Sequence, residues 1–324
     1  MWKPASPRAQ AISPERRVAA RLDAHWAAQL AAAAAASWNP TLADDSHTSL
    51  TWRADLAAMV GAPIDVAGGW RAGLDIAALA LLVLAPRNGG SGEPASLQVV
   101  ATFPLAGQTL AAALSWLHAQ FRAAHPDVEL SAPQRRDYAL PAHAVAGGGV
   151  FAVAPDAAAL SALSDTFHNA AAALQAHATG PGSPSPVRIW PHHFDIAQLV
   201  TLPPLAPGTM QGASEDAAAS AQSVGLGLSP GDEGMPLPYW YVSPWPYPAA
   251  GAALPSLPLG AWHTTGFTAA VLAHDEVLAQ PAAAQAAYAA GYLQGAEAGC
   301  RAIISDAATK AQPTTATAAE STGP

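Results

Sequence analysis

The spacing of hydrophobic positions changes several times along the chain, and each change marks an element. Ser13-Pro14-Glu15 supplies an N-cap, a proline for the first helical position and an acid for the helix dipole. Val18, Leu22, Trp26 and Leu30 follow four apart, which predicts a helix to about Ser37, stopped by Asn39-Pro40. From Leu50 the helical period is lost. Residues 50–60, 74–84 and 97–104 are short apolar segments between Gly/Pro-rich breaks, Gly61-Ala62-Pro63 and the glycines of 88–92 among them, and read as strands. A helix over about 108–124 presents Leu110, Leu114, Leu117 and Phe121 on one face, with Pro126 beyond its end. Residues 135–153 are polar, then glycine-rich. Pro155-Asp156 opens a helix to about Ala178 with Leu160, Leu163, Phe167 and Leu174 inward, ended by the Gly/Pro run of 180–184.

The second half repeats the order of the first. Residues 187–202, 223–228, 239–245 and 262–273 read as strands, and 281–304 as a helix with Tyr288, Tyr292, Ala296 and Cys300 in register. The pattern predicts an α+β fold of antiparallel sheet with packed helices. Two similar meander-plus-helix halves, 50–125 and 187–304, are joined by a helical crossover over 126–186. Trp52-Arg53-Ala54-Asp55-Leu56-Ala57 echoes Phe194-Asp195-Ile196-Ala197, as internal duplication would leave. Strands followed by a helix also recur by chance, so both origins stay open. Residues 1–12 and 305–324 lack periodicity and are expected to be disordered arms on a single domain, 13–304.

Composition removes several function classes. Of the 324 residues 51% are hydrophobic, but alanine makes up about half of these, so large apolar side chains are scarce and the alanine runs read as coding bias. The net charge is -9 with scattered arginines, which disfavours nucleic acid as a partner. The single cysteine, Cys300, excludes a disulfide framework and a thiolate zinc site. No apolar leader is visible, and the longest strongly apolar run, 76–85, is too short to span a bilayer, so the expectation is a cytoplasmic protein with no membrane partner. Its oligomeric state is open.

Chemistry-bearing residues gather between Arg188 and His274. Read as a strand, Trp190-Pro191-His192-His193-Phe194-Asp195 places Trp190, His192 and Phe194 on one face and His193 with Asp195 on the other. The second segment, Ser229-Pro230-Gly231-Asp232-Glu233, reads as a type II turn projecting two carboxylates, followed by the aromatic run Tyr239-Trp240-Tyr241. The third holds Trp262 and His263, then His274-Asp275-Glu276.

The first two segments together resemble a bacterial domain-of-unknown-function family that carries W-P-H-H-F-D and, later, S-P-G-D-E followed by P-Y-W-Y-V. The similar stretch runs over about 26–304. The resemblance implies membership without an activity. The family pattern has an acidic residue between the two prolines before the aromatic run, where this chain has Leu237.

Three chemistries fit these residues. A divalent metal such as Zn, Fe or Mn could be held by His193, Asp195, Glu233 and His263, although no helical zinc signature is present. A metal-free enzyme would use His193 as general base, oriented by Asp195 or Asp232, with Glu233 as partner acid. A small-molecule binding site would be lined by Trp190, His192, Tyr239, Tyr241 and Trp262. Against all three stands a purely structural role, since a chain short of Leu, Ile and Phe needs its ten tryptophans for packing. Gly147-Gly148-Gly149 lacks the spacing of a phosphate loop.

Overall fold

The computed structural model describes residues 2–4, 11–87, 96–203 and 222–310. The elements in chain order are α1 (Pro14–Trp38), β1 (Leu50–Arg53), β2 (Ala58–Gly61), β3 (Arg71–Asp75), β4 (Ala80–Pro86), β5 (Leu97–Pro104) and α2 (Leu110–Ala124). The second half holds α3 (Ala157–Ala176), β6 (Ser183–Pro184), β7 (Arg188–Trp190), β8 (Asp195–Thr201), β9 (Ser223–Ser229), β10 (Tyr239–Trp245), β11 (Ala261–His263), β12 (Ala269–Ala273), α4 (His274–Leu278) and α5 (Gln285–Lys310). The fold is α+β, as expected. One antiparallel sheet runs in the order β5-β4-β3-β2-β1-β7-β8-β9-β10-β12-β11, with β6 added to β8.

The strand order reads outward from a seam between β1 and β7, where Leu50 faces Ile189. β1 to β5 run one way from it, and β7 to β12 the other. The helices repeat the arrangement: α1 packs on β2, β3 and β4, and α3 on β8 and β9. α2 contacts β4 and β5, and α5 contacts β9, β10 and β12. Each meander is therefore followed by a helix, and each is also preceded by one. The four long helices lie in the sequence α2-α1-α3-α5, with α1 against α3.

The same four-residue hairpin loop closes β1–β2, β3–β4 and β7–β8. Its last residue is left-handed each time: Ala57 (φ 49), Leu79 (φ 46) and Phe194 (φ 57). The expected continuous strands over 50–60, 74–84 and 187–202 are thus broken by turns. At 191–194 the cause is local: Pro191 has no N–H for a ladder, and Phe194 N–H closes on Trp190 O at 2.7 Å. The trace over 262–273 also divides, into β11 and β12, at a turn containing Gly266 (φ 82).

The alanines carry more of the architecture than coding bias would require. Ala24, Ala27, Ala28 and Ala31 through Ala35 are all buried, because α1 is covered by the sheet and its helical neighbours. A side chain at Gly61 on β2 would meet Ala31 O at 3.3 Å, so small residues on both elements permit this close approach. Two expected arms are also partly ordered. Trp2 Nε1 donates to Gln285 Oε1 at 3.3 Å, the Lys3 backbone pairs twice with the Asn169 amide, and α5 continues through Lys310. Residues 5–10, the glycines of 88–92 and 311–324 lie outside the described residues.

Candidate functional site

The two loops that hold the motif residues meet beside the first half of α1. At the tip of the β7–β8 hairpin the left-handed Phe194 turns its ring inward, fully buried between Phe167 (5.1 Å) and His25 (5.0 Å, 8° from parallel). His192 and His193 are left side by side at the tip, their ring centres 4.4 Å apart. The expected alternation across a strand fails here, because residues 191–194 are turn and have no period of two. Pro191 O accepts from His25 Nε2 at 2.9 Å and from Gln29 Nε2 at 2.6 Å, which fastens the hairpin to α1.

The β9–β10 loop is shaped by its own carboxylate. Asp232 Oδ1 accepts from the N–H groups of Gly234 and Met235, each at 2.7 Å, and Oδ2 accepts from Tyr239 Oη at 2.5 Å. Gly231 has φ 112, and a Cβ there would lie 2.4 Å from Pro236 O, so only glycine suits the bend. Asp232 is thereby folded into the loop and does not project, while Glu233 is exposed without a hydrogen bond or ion pair among the described residues. This loop spans 230–238, whereas its counterpart in the first half, β3–β4, has four residues, 76–79.

Arg21 bridges from α1 to this loop, its Nη1 donating to Gly231 O at 2.8 Å. Arg21 is 7% exposed and, among the described residues, makes no ion pair within 4 Å and has no hydrogen-bond partner at Nε. Burial lowers the guanidinium's proton affinity, and Asp232 supplies the opposing charge. Burial pushes His25 down to about 4, so with Nε2–H given to Pro191 its Nδ1 lone pair is unpartnered. His192 is also lowered, by burial and then by His193, and its Nδ1 lacks a partner. These side chains, with Ala139, Leu140 and Pro141 from the crossover, enclose a cleft of about 320 Å3. A second space behind Arg21, toward Pro230 and Pro238, measures about 50 Å3, which suits water and not a ligand.

Asp195 and Tyr241 lie on the sheet face away from the helices. Tyr241 reaches across Gly227 of β9 to donate its hydroxyl to Asp195 Oδ2. A Cβ on Gly227 would sit 2.6 Å from the Tyr241 hydroxyl and 2.7 Å from Ile196 O, so the pair depends on glycine. Asp195 Oδ1 is buried without a partner, and burial raises the carboxyl's pKa against the lowering effects of Tyr241 and His193. His193 feels this charge but is exposed and makes no hydrogen bond to Asp195, Asp232 or Glu233 among the described residues.

The structure thus brings His192, His193, Asp232 and Glu233 into one cleft, and sets Trp190 against His192 at 5.8 Å. Tyr239 braces Asp232 from below. The two remaining candidates are elsewhere. Trp262 packs against the core and donates to Pro255 O at 2.7 Å, and His263 sits on edge strand β11, bonded to Thr265 O. The four-ligand metal set is therefore not assembled: among the described residues no three His, Cys, Asp or Glu side chains converge as a metal requires. His274 is buried, accepts from Trp240 Nε1 and is lowered to about 4. Cys300 is buried, donates to Val242 O and has its thiol pushed up, so neither residue serves the cleft.

Arg21, His25 and Gln29 escaped the motif-based reading. Their signal was their spacing, four apart in an alanine-rich helix, which puts a polar stripe on one face. No family model, no curated protein and no solved structure matches the chain. Among the described residues no helix is long and apolar enough to cross a membrane.

Proposed function

We propose that the protein binds a small polar molecule in the cleft between α1, the β7–β8 hairpin and the β9–β10 loop. One observation carries the reading: residues from three separate elements, Arg21 and His25 of α1, His192 and His193 of the hairpin, and Asp232 and Glu233 of the loop, converge on one concave space. The volume matches the lower end of small-molecule sites, roughly 300 Å3. Binding without chemistry is favoured over general-base catalysis because the exposed His193 lacks the hydrogen-bonded carboxylate that would orient it. The single buried thiol and the acidic chain support a cytoplasmic setting.

The test is thermal unfolding of the full chain against a panel of neutral, anionic, cationic and zwitterionic metabolites. A ligand at about a hundred times its Kd stabilises the folded state by about 2.7 kcal/mol, a measurable rise in midpoint. Ala139 is exposed on the cleft wall, so Ala139→Trp should leave the fold intact and abolish that rise. A panel without a single shift, or a shift retained in Ala139→Trp, would overturn the reading.

A further inference from the structure

Trp2 and Lys3 are held on the helical layer as a peptide is held by a receptor. Asp165 and Asn169 stand four apart on α3 and so share one face of it. Asn169, 3% exposed, pairs both ends of its amide with the main chain of a single residue: Oδ1 accepts from Lys3 N–H and Nδ2 donates to Lys3 O, each at 2.7 Å. One turn back, Asp165 Oδ1 accepts from the Lys3 ammonium at 2.9 Å. From the neighbouring helix α5, Gln285 Oε1 accepts from Trp2 Nε1 at 3.3 Å. Among the described residues, the Trp2 ring borders a space of about 490 Å3 walled by Ala172, Ala173 and Ala176 of α3 and by Ala286, Ala287 and Ala290 of α5.

These contacts are of two kinds, and each recognises something different. The N–H and C=O of one residue point the same way when the chain is extended, so the Asn169 pairing reads extended main chain and is indifferent to sequence. Selectivity comes from the side chains: Asp165 takes a cation, and Gln285 with the alanine walls takes a flat apolar ring that carries a donor. Main-chain bonds for affinity and flanking pockets for specificity are the general scheme of peptide recognition.

The seat does not depend on its occupant. α3 and α5 bury Leu163, Phe167, Leu174, Tyr292 and Leu293 in the main core. By contrast, the Lys3–Asp165 pair is 42% exposed on each side, and the indole bond lies just beyond the usual range. A lightly held segment on a rigid seat can be exchanged.

We infer that this face of α3 and α5 is a docking site for another protein, which inserts an extended segment bearing an aromatic residue followed by a lysine, and that Trp2 and Lys3 are its resident stand-in. A second copy of this chain is the poorer occupant. Residues 4–13 join the seated pair to α1, and a tether of that length keeps the chain's own pair at a local concentration on the order of millimolar. An identical pair arriving from another copy has no advantage over it. A foreign segment gains one by extending its flanking residues into the space beside the ring.

Fluorescence anisotropy of a labelled, end-blocked peptide Gly-Gly-Trp-Lys-Gly-Gly tests this. Saturable binding is expected to the full chain carrying Trp2→Ala and Lys3→Ala, which empties the seat, with binding at least about tenfold weaker to the parent, whose own pair competes. Replacing the peptide's tryptophan by alanine, or its lysine by glutamate, should each weaken binding by about fivefold or more. Asn169→Ala, added to the double variant, should abolish binding. If that protein fails to fold, Asp165→Asn, at a half-exposed position, should remove the preference for lysine over methionine in the peptide. No binding up to about 1 mM, equal affinity for parent and double variant, or indifference to the two peptide replacements would overturn the inference. So would a dimer of the parent that the double variant lacks, which would assign the seat to exchange between copies.

Discussion

Replacing Gly227 by alanine should disrupt the aromatic–carboxylate pair on the outer sheet face. The added Cβ would stand 2.6 Å from Tyr241 Cζ and Oη and 2.7 Å from Ile196 O, well inside van der Waals contact. The tyrosine ring must move aside, and the contact with the Ile196 carbonyl, which is sheet backbone, remains as a further strain. Overpacking of this kind costs about 1–3 kcal/mol. Displacing the hydroxyl also removes a donor to a buried carboxyl, a further loss of about 1–3 kcal/mol. Together about 2–6 kcal/mol should disappear from the unfolding free energy, measured by equilibrium urea denaturation of the full chain. The cause can be isolated by a double-mutant cycle with Tyr241→Ala. With the ring gone, Gly227→Ala should cost less by at least about 1 kcal/mol. A variant within about 0.5 kcal/mol of the parent, or strict additivity in the cycle, would refute the claim that Gly227 exists to let Tyr241 cross β9.

His25 and His274 titrate near 4 in the folded chain against about 6.5 when free, so below pH about 6.5 the unfolded chain takes up protons that the folded chain refuses. Stability should fall from there toward pH 4 with a slope of up to about 2.7 kcal/mol per pH unit, and His25→Gln should halve that slope in pH-dependent denaturation. Glu297 adds to the acid loss at lower pH: against burial, His177, Arg301 and the Gly180 N–H hold its carboxyl down at about 2. Its contribution, about 3 kcal/mol, is present above pH 4.5 and is lost as pH falls through 2, so Glu297→Gln should destabilise at pH 7 and flatten the acid limb between those values. Ala57→Gly should stabilise the β1–β2 hairpin by up to about 1 kcal/mol by relieving its left-handed backbone, whereas Phe194→Gly should destabilise because the ring it removes is wholly buried.

Element type was legible wherever the apolar period was long. Leu110 to Phe121 and Leu160 to Leu174 announce α2 and α3 because a helix repeats its buried face every turn, and the Thr109 and Asp156 hydroxyl and carboxylate caps are local. Local sequence also concentrated the motif side chains in the second half, and four of them do line the cleft. Hairpins such as 191–194 were not legible, since a buried phenylalanine in a left-handed turn has the same pattern as one on a strand.

What the tertiary structure alone decided is partnership. Whether His263 joins His193 depends on the order of strands in the sheet, and β11 falls at its far edge while β7 lies at the seam. Whether Arg21, His25 and Gln29 face a site depends on where α1 is laid down, some 166 positions away from the proline carbonyl that His25 holds. Periodicity records which face of an element is buried. It carries no information about which distant element covers that face, because the burial free energy that selects the pattern is non-directional, and only the packed structure shows that the polar stripe of α1 completes the cleft.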